Sequence, residues 1–288
     1  MCRYNPKVDL VFRKLFGSEE NKDLLMSLIN SIIDKEIKIK DLKIKNPYNL
    51  ISYLNEKTSI LDVKAVDENG TWYNIEMQVS KQLFYGKRAL YYWSKVYSEQ
   101  LEKHEPYYKL NKTIGIHLLD FNYFQDERYF RKITLKDDET NEIYKELDYE
   151  ELYFIEMKKF QKDYSELTNL MERWISFLNK AYEIEKGKIP AEMSEPEIIK
   201  AVEQLGTIYF DNEERVIYEA EKKSMMDLES QIYTATVIGR EEGMEKGREE
   251  GAKAEKIEIA KKLLDVLDME TISLKTGLTI EEIEKLKS

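Results

Sequence analysis

Residues 59–80 contain a run in which apolar and polar side chains alternate, and the predicted fold of the first part of the chain is built around this stretch. Residues two apart on a strand share a face, so the second half of this stretch divides into two sets. The mostly apolar set is Tyr73, Ile75, Met77 and Val79, and the other set is Trp72, Asn74, Glu76 and Gln78. The intervening Asp-Glu-Asn-Gly of residues 67–70 is typical of a turn. The pattern predicts a β-hairpin whose apolar face packs on helices.

The other face of this hairpin is predicted to present three polar side chains together. Glu76 and Gln78 lie two apart on the second strand, and Asp62 is expected on the partner strand. Hard divalent cations such as Mg²⁺ take oxygen ligands, commonly one or two carboxylates with water and phosphate in the remaining positions. An acid on one strand followed across a turn by acid-x-polar is therefore typical of a metal site that acts on a phosphodiester.

Helical and strand periodicities surround the hairpin. Amphipathic spacing predicts helices over residues 7–16, 21–33, 81–103 and 167–181. Residues 35–45 predict an edge strand, residues 112–121 a buried central strand, and residues 131–135 and 151–157 two further strands. These elements indicate an α/β fold.

Three blocks around the hairpin add to the pattern. They are residues 9–16 (DLVFRKLF), Arg88 with Tyr91, Tyr92 and Tyr97, and residues 154–160 (FIEMKKF). In this order, with Asp62 and Glu76-Met77-Gln78, the blocks resemble the PD-(D/E)XK nuclease superfamily and its branch of Rpn-type recombination-promoting nucleases, which are also described as transposase-like. The resemblance runs from the first helix to about residue 230. It implies a restriction-endonuclease-like core with a mixed central sheet flanked by helices, followed by a C-terminal helical extension.

The resemblance also implies an activity and its residues. It indicates a metal-dependent DNA endonuclease with Asp62 and Glu76 as ligands of Mg²⁺, or of Mn²⁺, and with Gln78 and Asp9 as further catalytic residues. Asp9 either joins the metal site or is an acid favoured at a helix N-terminus. DNA is the implied substrate, and Arg88 is the predicted phosphate contact. Tyr92 lies on a neighbouring helical row, where it either stacks on nucleic acid or belongs to the core.

One position departs from the family pattern. The family name implies a lysine where this chain has Gln78, and glutamine carries no charge to stabilise a hydroxide. Related nucleases that resemble this pattern carry glutamine or glutamate there. Lys64, on the same strand face as Asp62, either supplies the charge to the substrate or forms an ion pair with Glu76.

The C-terminal third has a different character. A break with Gly187, Pro190 and Pro196 precedes helices predicted over residues 197–205 and 213–233. Glycine then recurs at residues 239, 243, 247 and 251, which indicates either close packing of two helices or a flexible charged linker. We predict a nuclease-like core at residues 1–185, a helical extension at 186–235, and a tail at 236–288 that includes a small helical module. Self-association into a homo-oligomer is the expected role of this tail.

Composition bounds the functional classes. The single cysteine excludes an internal disulfide, and no stretch has the length and hydrophobicity of a membrane span or a signal peptide, so we expect a cytoplasmic protein. The net charge of −11 predicts weak, salt-sensitive DNA binding unless a local basic surface exists. The alternative to the enzyme is a catalytically degenerate nuclease fold that binds nucleic acid or supports assembly.

Overall fold

The computed structural model describes residues 4–33, 38–46, 63–185 and 188–286. A six-stranded sheet in the order β1-β2-β3-β4-β6-β5 forms its centre. The strands are β1 (Leu42–Ile44), β2 (Val63–Asp67), β3 (Trp72–Gln78), β4 (Thr113–Leu119), β5 (Phe130–Thr134) and β6 (Glu150–Glu156). β3, β4 and β6 are parallel, while β1, β2 and β5 pair antiparallel with their neighbours, so the predicted mixed sheet is confirmed.

Eight α-helices accompany this sheet in the described part of the chain. They are α1 (Asp9–Phe16), α2 (Lys22–Ile32), α3 (Tyr85–Ser98), α4 (Leu170–Lys180), α5 (Pro196–Thr207), α6 (Asn212–Leu263), α7 (Met269–Thr276) and α8 (Ile280–Glu284). None of these described helices is both long enough and apolar enough to cross a bilayer.

The predicted hairpin is formed by β2 and β3. Gly70 occupies the left-handed region with φ of +83°, which glycine adopts without strain, and its N–H donates to the Asp67 carbonyl at 3.1 Å. The Asp67 carboxylate also accepts the Thr71 N–H at 2.8 Å. This turn fixes a register in which Val63 is paired with Ile75 and Lys64 with Asn74.

The apolar face of the sheet carries the main core. Helices α1, α2, α4 and α5 contribute to the same buried cluster as this face, as predicted from the alternation. The sheet residues of this cluster include Tyr73, Ile75, Ile114, Ile116, Tyr153 and Ile155, and all six are 1% exposed or less. Trp174 of α4 lies in the same cluster and donates its indole N–H to the Ser27 hydroxyl at 3.2 Å.

The opposite face of the sheet is covered by α3, so the polar row of β3 lies beneath a helix. The buried row of this helix is Tyr85, Ala89, Tyr92 and Val96. Tyr85 and Ala89 pack with side chains of β4, β6 and the loop after β4, and Tyr92 and Val96 pack with Trp72. As a consequence, Asn74 and Glu76 are only 0% and 2% exposed.

The glycine-rich tail is helical. All four glycines at residues 239, 243, 247 and 251 lie within the 52-residue helix α6, so a flexible linker is not formed there. A Cβ built on any of them meets no described atom within 4 Å. Close packing of these glycines within the described chain is therefore absent.

The chain divides into two compact units, Met1–Met225 and Met226–Ser288. The second unit has its own small core of Ala260, Ile272, Leu278 and Ile283. Its last helix begins with a capping box, in which the Glu282 N–H donates to the Thr279 hydroxyl at 3.2 Å. The three-part division predicted from the sequence stays a prediction.

The close approach of β4 to β6 gives a first testable consequence. A Cβ on Gly115 would lie 2.8 Å from Cδ2 of Leu152 and 3.0 Å from Nε2 of His117, and both neighbours are buried. We expect Gly115→Ala to destabilise the sheet unit by about 1–3 kcal/mol through overpacking. Urea unfolding followed by fluorescence reports on this unit, because Trp72, Trp93 and Trp174 all belong to it.

Glu203→Gln is the control for this variant. It changes only an exposed side chain on α5, so the fluorescence-detected transition should not move. Equal stabilities of Gly115→Ala and the parent chain would contradict the described packing.

Candidate functional site

Glu76 occupies the middle of β3, beneath α3. Its pairing partner on the parallel strand β4 is His117, so the two side chains share the face covered by α3. The Asn74 side-chain amide donates to Oε1 of Glu76 at 3.3 Å. Since Asn74 precedes Glu76 by two residues, the strand itself brings this donor to the carboxylate.

The ionisation of Glu76 is controlled by its surroundings. Burial raises the pKa of the Glu76 carboxyl to about 7, and the charges of Arg88 on α3 and Arg13 on α1 oppose this rise. The Asn74 hydrogen bond also lowers the pKa, whereas the Asp9 carboxylate raises it. Arg88 and Arg13 act on Glu76 through their charge, and the hydrogen bond comes from Asn74.

Three buried polar atoms around this carboxylate have no hydrogen-bond partner among the described residues. They are Oδ1 of Asn74, Nε of Arg88 and Nε2 of His117. Buried polar atoms are almost always paired with protein, water or an ion. A small polar species, such as an ordered water molecule, would provide the partners that these atoms lack.

His117 has a structural role beside Glu76. Its Nδ1 lies 2.9 Å from the Tyr85 hydroxyl, and its ring stacks on Phe154 at 4.9 Å between centroids. Complete burial, followed by the nearby charge of Arg88, lowers the pKa of His117 to about 3. The ring is therefore neutral at physiological pH.

The remaining predicted catalytic residues differ in their placement. Asp62 lies outside the described residues; it directly precedes Val63, whose partner Ile75 directly precedes Glu76. The side-chain amide of Gln78, at the end of β3, donates to the Ser80 carbonyl at 3.4 Å. The Asp9 carboxylate accepts from Nε of Arg13 at 3.0 Å, one turn further along α1, and is 38% exposed.

The predicted substrate-binding residues lie around α3. The side chain of Arg88 is half-buried, and its guanidinium lies 4.9 Å from the centre of the Tyr92 ring. Tyr92 is 5% exposed, as in the alternative that assigned it to the core. The ammonium of Lys64 pairs with Glu99 at 2.6 Å, so the predicted ion pair with Glu76 is wrong.

The later block of residues 154–160 has a structural explanation. Glu156 is fully buried at the end of β6, where Oε1 accepts the N–H groups of Tyr123 and Phe124 at 2.6 and 3.1 Å. Lys159 donates to the same carboxylate at 2.9 Å. Glu156 therefore fixes the loop after β4 to the sheet.

The described donors fit one part of a site for a hard divalent cation. Glu76 offers a carboxylate with a raised pKa, and Asn74 offers an unpaired amide oxygen two residues away. Such a cation prefers these oxygen donors and accepts water or phosphate in its other positions. Among the described residues, no three His, Cys, Asp or Glu side chains form a metal cluster, so a complete site requires a ligand such as Asp62.

Comparison with protein families decides the assignment of this fold. The model of the PD-(D/E)XK nuclease family transposases matches residues 6–235 of the 288. The chain belongs to this family. The match contains α1, the hairpin, α3 and the entire sheet. Searches of curated proteins and of solved structures found no significant match.

Family membership supports a nuclease-like or transposase-like role for this PD-(D/E)XK chain, with DNA as the implied substrate. Members of the family generally use divalent metals. The α/β architecture, with its mixed sheet and long C-terminal helix, agrees with the family fold. The earlier resemblance is confirmed at this level.

Asn74 and Arg13 both act on Glu76, but the sequence analysis predicted no functional role for either residue. Asn74 was assigned only to a face of β3, although its position two residues before Glu76 was a usable signal. Arg13 was part of a matching block, but its effect on Glu76 depends on the docking of α1 at the sheet. That long-range placement has no local signal in the sequence.

The raised pKa of Glu76 predicts a pH-dependent stability. The folded-state pKa of about 7 exceeds the reference value of 4.5, so the folded chain binds the extra proton between these values. The corresponding stability is fully present below pH 4.5 and is lost as pH rises through 7, by about 3 kcal/mol. In EDTA, we expect Glu76→Gln to match the parent chain at low pH and to be more stable by up to about 3 kcal/mol at pH 8.

Urea unfolding across this pH range measures the effect. Glu203→Gln removes an exposed carboxylate from α5 and should follow the parent chain at every pH. A stability difference between Glu76→Gln and the parent that does not change with pH would contradict the assigned pKa.

Proposed function

We propose that this chain is a Mg²⁺-dependent DNA endonuclease in which Asp62 and Glu76 hold the metal, with Mn²⁺ as a substitute. The observation that carries the proposal is Glu76 itself, a buried carboxylate with a pKa of about 7 and no hydrogen bond from a basic side chain among its described contacts. Keeping a carboxylate in such a position costs stability. A bound cation offsets that cost and gives the arrangement a use.

The metal, when bound, supplies an activated water and neutralises charge that develops on the phosphate. Glu76 is held in place by β3 and by the Asn74 amide, so its carboxylate needs little reorganisation to serve as a ligand. Asp62 is assigned as the second ligand from its sequence position before β2. In the proposed hydrolysis the water oxygen would bond to phosphorus and one P–O ester bond would break, which leaves a phosphomonoester on one DNA end and a hydroxyl group on the other.

Arg88 is assigned to the phosphate of the substrate. Its guanidinium lies over Tyr92, and its charge already acts on Glu76, so a phosphate bound there would lie close to the carboxylate. Tyr92 thus supports Arg88 from within the core. We assign Gln78 to orienting the water or the substrate. Asp9 is assigned as an additional acid whose charge acts on the site.

Lys64 has a smaller part in this proposal. Its ammonium is engaged by Glu99, which offsets its charge, so we assign it only a secondary contact to DNA. The charge that a family lysine would provide is then supplied by Arg88 and Arg13, both of which act on Glu76. The activity is proposed to serve recombination, mobile DNA or defence against foreign DNA, in the cytoplasm.

A second candidate function is a degenerate nuclease fold that binds nucleic acid or supports assembly without cleavage. Two observations favour it: Gln78 replaces the lysine of the family name, and Lys64 is paired with Glu99. The net charge of −11 also opposes general DNA binding. Cleavage assays separate the two functions.

Loss of a metal ligand provides the direct test. Purified protein with Mg²⁺ or Mn²⁺ should nick plasmid DNA, and Asp62→Asn or Glu76→Gln should reduce the rate by at least about 100-fold. Glu203→Gln should cleave at the parental rate. Mg²⁺ should also raise the unfolding midpoint of the parent at pH 8 and have a smaller effect on Glu76→Gln.

The contrary outcomes are distinct. Intact DNA with both metals, together with no stabilisation by Mg²⁺, would favour the degenerate fold. Equal cleavage by Glu76→Gln and the parent chain would place the chemistry at a different site.

We also propose that the tail of α6 joins two copies of the chain. The glycines at residues 239, 243, 247 and 251 recur every four residues, and each costs a helix about 1 kcal/mol relative to alanine. Within the described chain no neighbour approaches them, so a second helix has access to the row. The surface left by these glycines would allow two backbones to approach closely.

Replacement of all four glycines by alanine tests this assembly. The variant should keep or increase its helicity, because the added methyl groups meet open space in the single chain. Sedimentation should show a shift from an oligomer to a monomer. An unchanged mass distribution would contradict an interface at this row.

A further inference from the structure

The outer side of α3 carries a strip of aromatic and basic side chains. We define the α3 strip as Phe84, Lys87, Tyr91 and Lys95, which recur at helical spacing along one face. Phe84 is 65% exposed and Tyr91 is 61% exposed. The buried row of the same helix faces the sheet, so the strip lies on the solvent side.

The charge of this segment is opposite to that of the chain. Residues 81–98 contain Lys81, Lys87, Arg88 and Lys95 and no carboxylate, although the chain as a whole has a net charge of −11. Glu99, the next acid, is held by Lys64 at 2.6 Å, while its distance from Lys95 is 3.9 Å. Such a local excess of cations is complementary to a polyanion.

The aromatic rings narrow the class of polyanion. Phe84 has the ammonium of Lys87 5.1 Å from its ring centre, and Tyr91 presents its ring beside Tyr92 at 5.4 Å between centroids. Exposed rings beside cations suit unpaired bases, whose faces are free to stack, whereas a duplex covers those faces. Phe84 and Tyr91 are seven positions apart, which corresponds to about 10 Å along a helix, a length that a few nucleotides cover.

The α3 strip is connected to the candidate site. Tyr91 contacts Tyr92, and Tyr92 carries the guanidinium of Arg88, whose charge acts on Glu76. On the helical wheel Arg88 lies between the strip and the buried row. A nucleic-acid strand bound on the α3 strip therefore lies next to Arg88, the predicted phosphate contact.

We propose that the α3 strip binds an unpaired strand of nucleic acid by base stacking on Phe84 and Tyr91 and by phosphate contacts to Lys87 and Lys95. As a route to the site, this inference rests on the proposed nuclease function. As a binding surface, it stands on the exposure and charge of α3. The strip thus selects single-stranded regions, frayed ends or loops over continuous duplex.

Binding without cleavage tests the strip. In EDTA, fluorescence anisotropy compares a labelled single strand of DNA, its RNA equivalent and the matching DNA duplex. The double variant Phe84→Ala with Tyr91→Ala should bind single strands at least about tenfold more weakly and should change duplex binding less than twofold. Lys87→Gln with Lys95→Gln should reduce the slope of log K against log salt by about 0.7 per lysine.

Tyr107→Ala with Tyr108→Ala is the matched control, because both tyrosines are 83% exposed but lie outside the strip. This control should bind all three ligands like the parent. Unfolding of the strip variants should follow the parent, since the replaced rings are exposed.

Several outcomes would overturn the inference. The inference fails if the aromatic variant binds single strands as tightly as the parent chain, or if it loses as much affinity for duplex as for single strands. It also fails if the parent chain binds no single strand. A change in self-association alone would make the strip a protein interface. These results are separable from the nuclease proposal. If the parent chain cleaves DNA with metal but the aromatic variant binds single strands like the parent, only the strip proposal is wrong. If the strip variants show the expected binding but the parent chain does not cleave DNA, only the nuclease proposal is wrong.

Discussion

The burial of one carboxylate is the constraint on which this structure depends. Glu76 is held in the centre of β3, under α3, where removal from water raises its pKa to about 7. The hairpin turn at Gly70 sets the register, and the parallel pairing with β4 places a neutral histidine beside the carboxylate. The fold thus maintains an acid in an unfavourable environment, which is the arrangement that the proposed cation site uses.

The basic residues around Glu76 partly offset the effect of burial on its pKa. Arg88 and Arg13 lower the pKa of the carboxyl through their charge, yet its hydrogen bond comes from a neutral amide. A direct ion pair with either guanidinium would compete with a metal for the same oxygens. Elsewhere the chain does use such pairing, as between Glu156 and Lys159, where the carboxylate has a purely structural role. The contrast separates the role of Glu76 from that of Glu156.

Much of the fold was predictable because its signals are local. The alternation in residues 72–78, the turn residues before it and the apolar run of β4 each specify their own conformation. The burial of Glu76 was not predictable in this way, because it depends on α3 crossing the polar face of the sheet. The pairing of Lys64 with Glu99 likewise required the end of α3 to lie beside β2.

The candidate site was predictable to a similar extent. Glu76 and Gln78 share a face as the strand periodicity requires, and Arg88 lies close enough for its charge to act on Glu76. The unpaired atoms of Asn74 and His117 emerge only from the packing of three elements. Family membership places these residues in a nuclease fold, and cleavage assays distinguish an active site from a degenerate one.

Anomalous diffraction from crystals soaked in Mn²⁺ tests this account most directly. We predict a peak at coordination distance from the Glu76 carboxylate, with Asp62 as a second ligand. The account is contradicted if fully occupied Mn²⁺ sites appear elsewhere in the crystal and none appears at Glu76. It is also contradicted if the Glu76 carboxylate is bonded directly to Arg88.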